Sequence, residues 1–397
     1  MGSERFSESR RNDMYDVAVI GVGGMGSATV YHLARRGVRV LGLEQFDIPH
    51  ELGSSHGVSR IIRLAYAEHP DYVPLLWRSY ELWRELENLA GERLLFITGG
   101  IDAGARGGEH VRGSLRSCTK HRLRHEELDA AAVRKRFPGC RLSKEMVAVY
   151  QPDAGFLLPE RCIVAHVTAA QRLGAEIRAR EAVREWHVRN REIVIVTDRD
   201  TYRARKLVLT AGAWTRNLVP ELAAAAVPER QVLIWTQPLR PELFALGAFP
   251  IFNMDAPEGR FYGFPIHSVP GFKIGKYHHR NETVDPDTMD RDCHAEDESV
   301  LRAGIERYFP DANGPTMAMK TCLFTNSPDE HFILDHHPRH PRVAIAAGFS
   351  GHGFKFCSVV GEIMTELALD GETRHNIRMF RQDRPRMRGY WSPASAS

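Results

Sequence analysis

Residues 15–46 read Tyr-Asp-Val-Ala-Val-Ile-Gly-Val-Gly-Gly-Met-Gly-Ser-Ala-Thr-Val-Tyr-His-Leu-Ala-Arg-Arg-Gly-Val-Arg-Val-Leu-Gly-Leu-Glu-Gln-Phe, and their order decides the fold. The apolar run 17–20 suits a buried parallel strand, after which Gly21, Gly23 and Gly26 open a helix with Val30, Leu33 and Ala34 among its apolar positions. Gly21 permits a tight turn, Gly23 lets backbone approach a pyrophosphate, and Gly26 lets the helix lie close on the strand. The free N–H groups at the helix start then face negative charge. Gly37 ends the helix, residues 38–43 make the next strand, and Glu44 at its end can accept hydrogen bonds from ribose hydroxyls while disfavouring a 2′-phosphate. A glycine triplet alone marks many ordinary strand-to-helix turns. Strand, glycines, helix, second strand and acid in this order mark a dinucleotide-binding unit, without saying which dinucleotide.

The rest of the chain bounds the setting. At 397 residues it exceeds what one hydrophobic core holds, so two domains are expected. Lys and Arg number 53 against 50 Asp and Glu, a net charge of +3 that is too balanced for a nucleic-acid partner. Six cysteines (Cys118, Cys140, Cys162, Cys293, Cys322 and Cys357) form no Cys-x-x-Cys pair, which argues for a reducing compartment and against structural zinc or any other metal. No apolar run is long enough for a membrane span, and residues 1–13 are polar and charged, reading as a disordered tail. Phe6 stands where a myristoylation signal wants Ser or Thr, and the final Ser-Pro-Ala-Ser-Ala-Ser is no peroxisomal address. A soluble cytoplasmic protein is expected, with no membrane partner.

Beyond the first unit, residues 72–89 carry apolar residues at helical spacing, 94–102 read as a strand with a Gly-Gly turn, and 128–137 as a short helix stopped by Pro138. Residues 145–165 read as strand, turn and helix, the helix running on to Leu173. Residues 192–198 alternate as a strand, 202–206 read as a basic turn, and 207–214 as a buried strand running into small residues beside the first glycine loop. Strand-like runs at 231–237, 251–254, 261–265 and 272–277, bounded by Gly and Pro, predict an antiparallel sheet. Residues 343–347 are another buried strand, followed by Gly348-Phe-Ser-Gly-His-Gly-Phe-Lys355 and a helix through Leu369. A second glycine-rich strand-to-helix junction so far from the first means a discontinuous nucleotide domain. The fold class expected is α/β, a discontinuous Rossmann-like domain of parallel sheet and helices plus an antiparallel-sheet substrate domain. The nucleotide domain is assigned to 14–90, 150–220 and 325–385, the substrate domain to 91–149 and 221–324, and a carboxy-terminal tail to 386–397.

Nearly the whole chain resembles the amine-oxidising family of FAD-dependent oxidoreductases typified by monomeric sarcosine oxidase and N-methyltryptophan oxidase. The residues carrying the resemblance are Gly21-x-Gly-x-x-Gly26, Ser55-His56-Gly57-x-x-Arg60-Ile61-Ile62-Arg63, Tyr262-Gly-Phe-Pro265, Lys273-Ile-Gly275, Cys322, Ser327-Pro-Asp-Glu-His-Phe332 and the 348–355 block. The resemblance implies FAD, held by Gly21, Gly23, Gly26, Glu44, Gly348, Gly351, Gly353 and Lys355, and attached covalently through Cys322. It further implies Arg63 and Lys355 as the pair that binds a substrate carboxylate, with Tyr262 lining the cavity. Arg60 and His56 match residues near the flavin ring, and Lys273 matches the lysine that activates O2. A histidine following the Lys-Ile-Gly strand is assigned to His278, although the ungapped match falls on Tyr277.

These roles suit the residue types. A guanidinium grips a carboxylate with two prongs and an ammonium adds a point charge. A fixed cation beside the flavin stabilises negative charge developing on oxygen. The activity implied is oxidation of a secondary or N-methylated amino acid to an imine that water hydrolyses, with O2 reduced to hydrogen peroxide, by a monomer. Two alternatives stay open: a dehydrogenase of the same fold passing electrons to a quinone or electron-transfer protein, and a non-catalytic dinucleotide-binding protein.

Overall fold

In the computed structural model, which describes residues 14–390, Met14–Ile20 is the buried strand expected of the opening motif. The tail 1–13 and residues 391–397 of the second tail lie outside the described residues. Met387, which the sequence reading gives to that tail, is buried in the core beneath the nucleotide sheet.

Met14–Ile20 pairs in parallel with Val40–Leu43 on one side and Thr201–Leu209 on the other. Glu176–Arg178 extends the sheet past Val40–Leu43, and His340–Ala347 lies parallel beside Thr201–Leu209. Val17 and Val19 enter one core while Ala18 and Ile20 enter another, so the strand is covered on both faces and reads as a continuous apolar run. The helix Gly24–Arg35 packs against Cys357–Asp370 and Pro159–Arg172 on one face of this sheet. One sheet thus gathers strands from the start, middle and end of the chain.

Two local expectations are corrected. Residues 202–206 are not a turn but continue the strand Thr201–Leu209: Tyr202 and Ala204 point inward, while Arg203 and Arg205 face solvent. Alternating arginines are what the open face of a strand carries, and their charge hid the period of two. Leu128 belongs to the strand Glu126–Asp129, and the helix begins at Ala130, where the Asp129 carboxylate accepts the Ala132 N–H at 2.8 Å.

The second large sheet runs in the order Thr316–Asn326, Val227–Thr236, Phe272–Lys276, Gly259–Phe264, Ile251–Ala256, Gly100–Ala105, Met146–Gln151 and Glu126–Asp129. It is antiparallel except where Ile251–Ala256 meets Gly100–Ala105. The helix Ala295–Tyr308 joins a phenylalanine-rich core on this sheet, with Phe249, Phe252, Phe261, Phe272 and Phe309 fully or almost fully buried. A small sheet of Arg60–Ile62, Gly155–Leu157 and Leu95–Ile97 carries Arg60 and Ile61 to the edge of the cavity described next.

Candidate active site

The chain turns at Gly21 with φ +90°, and a Cβ on Gly26 would stand 1.7 Å from the Gly21 carbonyl oxygen. Only glycine fits either position. Gly23 faces open space. The Thr210 hydroxyl donates to Gly21 O at 2.6 Å, which brings the end of Thr201–Leu209 against the glycine turn. The Glu44 carboxylate accepts the N–H groups of Val22 (2.8 Å) and Phe46 (3.1 Å), and burial pushes its carboxyl up against the opposing pull of those bonds.

A cavity of about 440 Å³ is lined by Gly21, Gly23, Gly24 and Glu44, by Gly348, Gly351 and Gly353 from the second junction, and by Arg60, Tyr262, Tyr277 and Lys355. Its size falls among ligand sites of about 300–1,000 Å³. A glycine turn at a helix start, a carboxylate at the end of the next strand and a long cavity leading to aromatic walls are what a flavin dinucleotide requires, so these residues fit FAD.

Arg60, Lys273, His56 and Cys322 come together beside the cavity. Arg60 donates to the carbonyls of Ser59 (3.1 Å) and Ser54 (2.9 Å), and its Nη2 lies 3.4 Å from Cys322 Sγ. Lys273 Nζ donates to Gly57 O (2.6 Å), Ser59 O (2.9 Å) and Ser59 Oγ (3.0 Å), and sits 4.3 Å from the centre of the Phe264 ring. Three acceptors match the three N–H bonds of an ammonium, while burial and then Arg60 hold its pKa well below the ordinary lysine range. His56 is fully buried with no hydrogen-bond partner on either ring nitrogen among the described residues. Burial, then the charges of Arg60 and Lys273, holds its imidazole well below its usual pKa.

Arg63 does not line the cavity. Its guanidinium is buried, 3.2 Å from Glu68 Oε2 and 3.5 Å from Asp102 Oδ1, and donates to Ala65 O at 2.9 Å. Its carboxylate partners are thus already inside the protein. Lys355 does line the cavity, in a single 3₁₀ turn ahead of Cys357–Asp370, and donates to His352 O at 2.7 Å. Burial, then Arg63, pushes its pKa down to about 7. Arg260 completes the cluster at 2.7 Å from Glu68 Oε1. Arg63, Arg260 and protonated Lys355 face Glu68 and Asp102, three cations against two carboxylates, which leaves room for one anion. The Tyr66 hydroxyl lies 2.6 Å from His352 Nδ1, and His352, pushed down to about 4 by burial, is neutral.

The assignment to His278 is corrected. Its ring lies between Glu229 (2.9 Å) and Glu330 (3.2 Å), which raise its pKa to about 9, and it does not line the cavity. Tyr277 takes the wall position, its ring 5.2 Å from that of Tyr262. Strand alternation agrees: Gly275 pairs with Tyr262, so Tyr277 falls on the same face and His278, just past the end of Phe272–Lys276, on the other. Glu68, Asp102 and Arg260 are absent from the sequence reading. For Arg260 a signal existed: it stands two residues before Tyr262 on one strand, hence on the same face.

The sequence matches the family described as "FAD dependent oxidoreductase" over residues 16–367. It is 43% identical over 376 residues to a monomeric sarcosine oxidase of Streptomyces avermitilis, covering 92% of this chain and 96% of that one. It is 34% identical to an N-methyl-L-tryptophan oxidase of Citrobacter koseri, over 93% and 99% of the two chains. Among solved structures, NikD, an unusual amino acid oxidase essential for nikkomycin biosynthesis, superposes with a TM-score of 0.81 at 26% identity, covering 93% of this chain and 97% of that one. With the glycine turn, the ribose-side carboxylate and the second glycine junction all lining one cavity, these matches mean that the chain belongs to the FAD-dependent oxidoreductase family.

Proposed function

We propose that this protein oxidises the C–N bond of a secondary or N-methylated amino acid to an imine, which water then hydrolyses, while O2 accepts the two electrons and two protons and becomes hydrogen peroxide. The observation that carries this reading is the cation cluster at the cavity wall, where Lys355 lines the cavity with Arg63 and Arg260 behind it facing Glu68 and Asp102, so that protonated Lys355 leaves one positive charge in excess. FAD, when bound, supplies the two-electron acceptor. The nucleotide sheet, from 14–90, 150–220 and 325–385, serves as its binding domain, and 91–149 with 221–324 as the substrate domain.

Lys355 meets the substrate carboxylate directly, and Arg63 exchanges Glu68 for it. Tyr262 and Tyr277 wall the amine end, where an apolar surface favours the neutral amine from which electrons are withdrawn. Lys273 and Arg60 hold positive charge where negative charge develops as oxygen is reduced. Cys322 is the attachment point for the cofactor, supported by its place beside the cavity, its sulfur 3.4 Å from Arg60 Nη2. The protein acts as a monomer. A cytoplasmic setting suits its six unpaired cysteines.

A panel of N-methylated and cyclic amino acids, assayed for peroxide release and oxygen uptake, tests the reading. Turnover with flavin reduction but no oxygen uptake would make the protein a dehydrogenase, and no flavin reduction by any amine would remove the activity altogether. For the attachment, colour should stay with the acid-precipitated protein and pass to the supernatant in Cys322→Ala.

A further inference from the structure

Glu68 is shared. Its carboxylate lies 2.7 Å from Arg260 Nη2 and 3.2 Å from Arg63 Nη2, and its side chain is 10% exposed. The shorter contact is therefore made by the arginine that no substrate role was assigned to. Arg260 sits on Gly259–Phe264, where its carbonyl accepts the Tyr277 N–H at 2.8 Å and its guanidinium lies 4.4 Å from the centre of the Tyr277 ring. Backbone pairing and ring contact fix it to the back of the cavity wall, with its Nε buried and unpartnered.

A buried carboxylate held by one arginine cannot release it without being left uncompensated. A carboxylate held by two can give one up. We propose that Arg260 is a positioning residue for the substrate carboxylate: by neutralising Glu68 from the cavity wall, it frees Arg63 to exchange Glu68 for the incoming carboxylate. This rests on the reading of Arg63 and Lys355 as the carboxylate clamp. It also predicts that Arg260 acts through Glu68 alone, so its effect must vanish once Glu68 carries no charge.

The test is calorimetric titration of the flavin-loaded protein with acetate, in wild type, R260M, E68Q and E68Q/R260M. R260M should bind acetate about tenfold more weakly than wild type, because Glu68 then grips Arg63 alone. E68Q/R260M should bind within about twofold of E68Q, since the group through which Arg260 acts is gone. R260Q reads the same coupling should R260M fail to fold. An equal loss of affinity in both Glu68 backgrounds would show direct attraction between Arg260 and the anion, or a merely structural role, and would overturn the proposal. So would R260M binding acetate like wild type. Wild-type protein that does not bind acetate would instead overturn the clamp itself, and this inference with it.

Discussion

Two groups of cations lie at the cavity wall or just behind it, and they are compensated in opposite ways. Arg60 and Lys273 are held by carbonyl oxygens, a hydroxyl and the sulfur of Cys322. Arg63 and Arg260 are held by the full negative charges of Glu68 and Asp102. Dipoles fix a cation without cancelling it, so the first group offers positive charge, carried by Arg60 and by Lys273 when protonated, to negative charge that appears and disappears within a turnover. Carboxylates cancel what they hold, so the second group must exchange partners to bind an anion, whereas Lys355, whose Nζ donates to His352 O, meets the cavity directly.

The contrast breaks most sharply at Lys273. In Lys273→Met, reoxidation by O2 should slow by about a hundredfold or more, the order of loss on removing one fixed group that stabilises developing charge, while anaerobic reduction by substrate stays near wild type. Stopped-flow measurement of the two half-reactions separates them, and slowed reduction with normal reoxidation would move Lys273 to the substrate side. The next effect is at the clamp: Arg63→Ala or Lys355→Ala should raise KM and weaken inhibition by simple carboxylates by about 1.5–3 kcal/mol, the value of a charge-assisted contact.

A pH titration sharpens the difference between the two clamp members. Lys355, pushed down to about 7, binds an anion only when protonated. Acetate affinity should therefore be full below about pH 7 and fall by up to tenfold per unit above it, and Lys355→Met should flatten the profile. A wild-type affinity that does not change between about pH 6 and pH 8 would remove Lys355 from direct contact. The smallest effect is expected at His278, whose half-exposed pairs with Glu229 and Glu330 lie off the cavity: His278→Gln should change kcat/KM by less than about twofold, as partly exposed ion pairs do. A large loss there would return a role in the site to His278.

Much of the fold was legible because Gly21, Gly26 and the apolar run before them are local requirements, written in consecutive residues. The Thr201–Leu209 strand was half hidden because its outward arginines resemble a solvated turn until the neighbouring strands are known. In the site, Lys355 and Tyr262 could be read from their blocks, whereas Glu68, Asp102 and Arg260 acquire meaning only through one another, across separate elements. A side chain's charge is written in the sequence, but the group that cancels it belongs to the tertiary structure. At Tyr277 and His278 the spacing was legible after all: alternation from Gly275 places Tyr277 on the cavity face, where the ungapped match also falls, and the resemblance alone favoured the histidine.

The strand order of the nucleotide sheet bears on biosynthesis. Thr201–Leu209 has Met14–Ile20 on one edge; on the other, Glu192–Thr197 pairs with residues 201–204 and His340–Ala347 only with Leu207–Leu209, so that last stretch gains its neighbour after most of the chain has been made. Until then Leu207–Leu209 present an open edge, the kind of surface through which partly folded chains aggregate. Gly348, Gly351, Gly353 and Lys355 follow immediately after that last strand, so the segment that closes the sheet also finishes the cavity. A chain truncated before His340 would lack both the partner of Leu207–Leu209 and the Gly348–Lys355 wall of the cavity, which ties cofactor loading to completion of the polypeptide.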